Sequence, residues 1–192
     1  MSTEPAEQVI AATRHWLERA VIALNLCPFA KAVHVKQLIR YVVSAAQTPD
    51  ALLDELEKEL ALLSEADPER IDTTLLIVPQ QFDEFLDFFF FLNEAEALLK
   101  RMQLEGVLQI ASFHPQFEFA GNEPDDIANC TNRSPYPTLH LLREASLDRA
   151  VAAFPDAADI YERNIETLEK LGHEGWDNLF KQTPNQKQTE QQ

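Results

Sequence analysis

The sequence predicts an α/β layered domain, with a small, mostly parallel sheet of about four strands flanked by helices. Three observations carry this. Val35–Val43 alternates, with Ile39, Tyr41 and Val43 on one face and Lys36 and Arg40 on the other, as a half-buried strand does. Thr73–Val78 is a continuous β-branched and leucine run stopped by Pro79, the form of a strand buried on both faces. Helical spacing separates the successive strands, and strand-helix-strand-helix-strand order favours parallel pairing through right-handed crossovers.

The elements follow in chain order. From Glu4 to Leu24, apolar residues including Val9, Trp16, Leu17 and Val21 recur at three- and four-residue spacings, giving an amphipathic helix stopped near Asn25. After the first strand, Thr48-Pro49-Asp50 supplies an N-cap, a first-turn proline and an early acid. Leu52, Leu53, Leu56, Leu60 and Leu63 then form the apolar face of a second helix. Phe82–Met102 returns to helical spacing, and its Phe88–Phe91 run is wider than one helical face, so part of it should meet a second helix or a partner. Gly106 ends this helix and Val107–Phe113 forms a third strand. Thr138–Arg143 reads as a fourth strand, with a helix start as the alternative. Ser146–Phe154 and Asp156–Leu171 read as helices punctuated by Pro155, with Gly172 as a stop and a short turn around Trp176.

Composition narrows the function classes. The 192 residues are 45% hydrophobic, enough for one ordinary core, so one α/β domain is expected over 1–180. The Gln-rich, aromatic-free segment 181–192 is expected to be a disordered tail. Sixteen Lys and Arg against 32 Asp and Glu give a formal charge of −16, which opposes attraction to nucleic acid and anionic membranes. The acidic start lacks the pattern of a signal peptide, and no apolar run is long enough to span a bilayer; a cytoplasmic protein is expected. Two cysteines far apart in sequence, Cys27 and Cys130, fit a reducing compartment. No glycine-rich phosphate loop or dinucleotide fingerprint is present, and no ligand spacing marks a metal site, so no cofactor is named.

Chemistry concentrates in 113–137, which fits neither helix nor strand and should begin where the third strand ends. In parallel sheets ligands bind beyond that carboxyl edge. His114 titrates near neutrality and is the candidate acid or base, with Asp125 to orient it. Arg133 can clamp a carboxylate or phosphate at two points, and Asn129, Asn132 and Ser134 add donors to an anion-binding loop. Cys27, preceding Pro28, is the candidate nucleophile if its sulfur lies at a helix N-terminus; a buried, inert thiol is the competing reading. His140 and His34 join the metal reading only as scattered residues.

Leu26-Cys27-Pro28-Phe29-Ala30, Phe113-His114-Pro115-Gln116-Phe117 and the long run Thr131–Glu144 give the chain a specific resemblance. It resembles the bacterial proteins grouped as domain of unknown function 1415, from about the first helix to Leu171. The resemblance implies a bacterial cytosolic protein and carries no catalytic assignment. Two functions follow as expectations: a small-molecule enzyme of hydrolase or transferase type using the polar loop, or a non-catalytic binding or interaction module whose loop is structural. A homodimer through the phenylalanine-rich helix is the expected protein contact.

Overall fold

Four strands form one sheet in the order β1-β2-β4-β3: β1 (Ile39–Val43), β2 (Thr73–Ile77), β3 (Leu108–Phe113) and β4 (Thr138–Arg143). The computed structural model describes residues 4–153 and 159–181. β1 and β2 are parallel, whereas β4 is antiparallel to both β2 and β3. The sheet is therefore mixed, which corrects the mostly parallel expectation. The cause is the 3–4 connection. β1–β2 and β2–β3 are joined by helices that carry the chain back along the sheet, but residues 114–137 contain only a 3-10 helix (Ile127–Asn132). The chain thus re-enters at the edge it left, Phe113 opposite Thr138, and must run the other way. β4 fills the gap between β2 and β3, so those two strands still point in one direction and end on the same edge.

One face is covered by α3 (Pro49–Glu65) and α4 (Phe85–Arg101). Thr48 Oγ1 caps α3 by accepting from the Ala51 N–H at 3.3 Å, with Pro49 in the first turn, as the sequence signals. Leu56, Leu60, Phe88, Leu98, Leu139 and Leu141 meet in the main core on this side. Arg143, the last residue of β4, closes the far end of α3. Its Nη2 donates to the carbonyls of Leu63 (2.5 Å), Ala66 (2.6 Å) and Ile71 (3.3 Å). A cation at a helix C-terminus is also stabilised by the negative end of the dipole, so Arg143→Met, which keeps the apolar stem, is expected to cost about 1–2 kcal/mol, measured by urea unfolding.

On the other side α1 (Ala6–Trp16) packs on β1 and runs into a π-helical segment (Leu17–Ile22), against which α2 (Ala30–Val35) and α6 (Ile160–Phe180) pack, α6 also meeting the 3-10 helix. The predicted first helix continues through the π segment, where bonds such as Ala23 N–H to the Glu18 carbonyl span five residues. The chain then stops at Asn25, which adopts positive φ (54°). α2 begins two residues after Pro28, where the sequence offers a helical turn only as the condition for a reactive Cys27; it is short, uncapped and contains no fully buried residue. Gln37, with φ 58°, follows α2 and delays β1 to Ile39. α5 (Glu144–Ala153) follows β4 directly. α6 breaks at Gly172 (φ 66°, ψ 172°), the predicted stop, and resumes as a helix through Trp176 rather than as a turn. Pro155 and the Gln-rich segment from Gln182 lie outside the described residues. Among the described residues no helix is long and apolar enough to cross a membrane.

Candidate functional site

The polar loop lies where the sequence puts it, beyond the common edge of β2 and β3. His114 is fully buried under α4, stacked on Phe88 with ring centroids 5.4 Å apart and tilted against Phe85 at the same distance. Its Nδ1 accepts from the Gln116 N–H at 3.0 Å, so the neutral ring carries its proton on Nε2, which donates to the Phe82 carbonyl at 2.8 Å. Both ring nitrogens are occupied by backbone. Burial lowers the pKa of His114, outweighing the Phe82 carbonyl and the nearby Glu84 and Asp83 carboxylates, which raise it. Asp125 is exposed, and the imidazole has no free nitrogen to offer it.

The other loop residues bond to the loop itself. Asn129, fully buried, accepts from the Phe119 N–H at 3.0 Å and from Asn122 Nδ2 at 3.2 Å, and donates to the Glu123 carbonyl at 2.9 Å. Asn132 Nδ2 donates to the Ser112 carbonyl (3.1 Å), and Ser134 Oγ donates to that of Tyr136 (2.6 Å). Arg133 spends its guanidinium on the carbonyls of Phe117 (3.3 Å, from Nε) and Pro124 (2.6 Å, from Nη2). Asp126 caps the 3-10 helix through the Ala128 N–H at 2.8 Å. These bonds supply the partners that a segment without sheet ladders must find elsewhere. A cleft of about 690 Å³ runs beside the loop, and Arg133 shares its wall with Glu84 and Glu118. Two carboxylates against one guanidinium do not favour an anion there.

Cys27 is on the other side of the sheet from His114, packed near Trp16 and Phe113. The structure brings it instead to a second cavity, of about 730 Å³, between α2 and α5. Ile39, Leu75, Phe113 and Leu142 floor this cavity, and Leu17 and Val21 of the π-helical segment wall it. Burial pushes the Cys27 thiol up, outweighing the N–H groups of Phe29 and Ala30 that lower it, so the thiolate expected from a helix N-terminus is disfavoured. Cys130 lies elsewhere, between Leu26 and Leu168, and both cysteines are free.

The polar group on the cavity floor is His140. Leu139 and Leu141 point into the main core, so the residue between them must face the opposite side of the sheet. His140 Nε2 lies 2.7 Å from Thr73 Oγ1, whose hydroxyl is 2.6 Å from the Leu141 carbonyl. One hydroxyl has one proton, and the carbonyl can only accept it. Nε2 therefore donates to Thr73, and Nδ1 of the neutral ring is left as a bare acceptor. Burial lowers the His140 pKa to about 4, which keeps it so at neutral pH. In the sequence His140 enters only as one of several scattered possible metal ligands. Its signal in the sequence is a polar residue alternating with core leucines; the strand register sets Leu75 opposite it and Thr73 two places along on the same face of β2. Among the described residues no group of three or more His, Cys, Asp and Glu could hold a metal ion.

No curated protein and no solved structure matches this chain. Residues 8–178 match the family described as protein of unknown function, DUF1415. That match runs from α1 through α6 and takes in both the polar loop and the cavity; the chain belongs to the DUF1415 family.

Proposed function

We propose that this protein binds a small, largely apolar molecule in the cavity between α2 and α5, with His140 Nδ1 accepting a hydrogen bond from it. One observation carries the reading: an apolar space of about 730 Å³ whose floor presents an imidazole with its proton turned away. Ligand sites have this character, mostly apolar walls with a few fixed polar groups, and this volume lies in their usual range of about 300–1,000 Å³. Binding is favoured over acid–base catalysis by magnitude. A histidine with a pKa of about 4 is a weak base at neutral pH, and the raised Cys27 thiol is a weak nucleophile.

The loop at 113–137 is proposed as architecture rather than as an anion clamp, because His114, Asn129, Asn132, Arg133 and Ser134 are each committed to the chain's own backbone. Exposed Leu86, Phe89 and Phe90 on α4 support a separate proposal, a homodimer through that helix.

The binding reading is tested with the neutral fluorophore N-phenylnaphthylamine. Saturable fluorescence enhancement is expected with the natural chain. Ala150→Trp, on the α5 wall, should weaken it at least about tenfold by filling the space. Enhancement that is absent, or unchanged in a folded Ala150→Trp protein, would overturn the proposal.

A further inference from the structure

We propose that the ligand of this cavity is an amphipathic anion, whose hydrocarbon body lies over the sheet and whose carboxylate or similar head group sits at the rim near Lys31, Lys36 and Arg149; this rests on the binding reading above. The argument is one of charge placement. The chain has twice as many acids as cations, 32 against 16, so a randomly chosen stretch of surface is acidic. Around this cavity the balance is reversed. Lys31, Lys36 and Arg149 line it and are exposed, whereas Asp72 is the one carboxylate among its lining residues.

Asp72 is already engaged. Ser146 Oγ donates to its Oδ1 at 2.5 Å, and Arg149 Nη2 donates to Ser146 Oγ at 2.9 Å. Arg143 also borders the cavity, but its guanidinium is held by the carbonyls at the end of α3 and is not offered to a ligand. Lys31 and Lys36 take part in none of the ion pairs formed among the described residues. A cationic rim on an otherwise acidic surface concentrates anions locally, and an apolar interior rejects those without a hydrocarbon body. The lone pair on His140 Nδ1 repels an anionic head at the floor, which orients the ligand with its charge outward. A hydroxyl or amide N–H along the body would satisfy that acceptor.

Calorimetric titration of the full chain with decanoate, decanol and decylammonium at neutral pH tests this. Decanoate is expected to bind about tenfold more tightly than decanol, and decylammonium more weakly than either. In Lys31→Gln/Lys36→Gln/Arg149→Gln, which keeps much of the apolar stems, the preference for decanoate over decanol should be lost. Decanol equal to decanoate, tighter decylammonium, or a preference that survives the triple substitution would overturn the anion proposal and leave the cavity reading standing. No binding of any of the three, with the protein folded by its melting transition, would overturn both. The single reversal Lys31→Glu, on the exposed surface, repeats the test should the triple variant fail to fold.

Discussion

His114→Ala is expected to lower the stability of the fold by about 3–5 kcal/mol. The substitution removes a fully buried ring stacked on Phe88 and Phe85, and strands two backbone groups, the Phe82 carbonyl and the Gln116 N–H. Each unpaired buried group costs about 1–3 kcal/mol, and the lost aromatic packing adds to this. Two loops come apart together, because the imidazole ties the end of the β2–α4 connection to the start of 114–137. His114→Asn keeps an acceptor at the δ position for the Gln116 N–H and should recover part of the loss. Urea midpoints at unchanged m-value read the effect. A neutral or stabilising His114→Ala would instead mark the residue as strained for chemistry and return the loop to candidacy as the active site.

Acidification from pH 7 to pH 5 is expected to destabilise the protein by about 2 kcal/mol through His140, with His114 adding in the same direction. The sign follows from the lowered pKa values. Both rings are held neutral in the folded protein, whereas in the unfolded chain they protonate near pH 6.5. Their contribution is therefore complete above that value and is lost as pH falls toward about 4, where the folded His140 itself titrates. Glu96 works the other way, since its burial and the nearby Glu105 raise its pKa, so protonating it relieves a cost at lower pH. Relief of the −16 self-repulsion as carboxylates protonate also belongs below the window. Thermal or urea unfolding across pH 7 to 5 should therefore fall, and His140→Gln, whose amide can donate to Thr73 Oγ1 without titrating, should flatten that fall. A parallel decline in both proteins would locate the pH dependence elsewhere.

The two histidines also separate what pattern reading reaches from what it misses. His114 stands out in the sequence because it sits in a segment without period, beside a proline, and the structure does end β3 just before it, at Phe113. Its chemistry was set by Phe82, 32 positions earlier, and by α4 packing over it. His140 is inconspicuous in the sequence because it lies inside a regular strand. What makes it available is that Thr73, 67 positions away, takes its proton-bearing nitrogen and sends its own hydroxyl to a carbonyl. Cys27 does lie beside a helical turn, but burial outweighs the two N–H groups that turn supplies.

By itself the sequence determined the strands, the helices with strong caps or wide apolar faces, and the layered α/β class. These depend on side-chain period and on residues such as Thr48, Pro79 and Gly106, whose effects act within a few positions. Only the tertiary structure decided that β4 enters antiparallel between β2 and β3, that the polar loop spends its donors on its own carbonyls, and that an apolar cavity opens under α5. Each of these is a choice of partner between residues distant in sequence. A hydrogen-bond donor or a leucine face specifies what kind of partner it requires, and the packed fold alone specifies which one it meets.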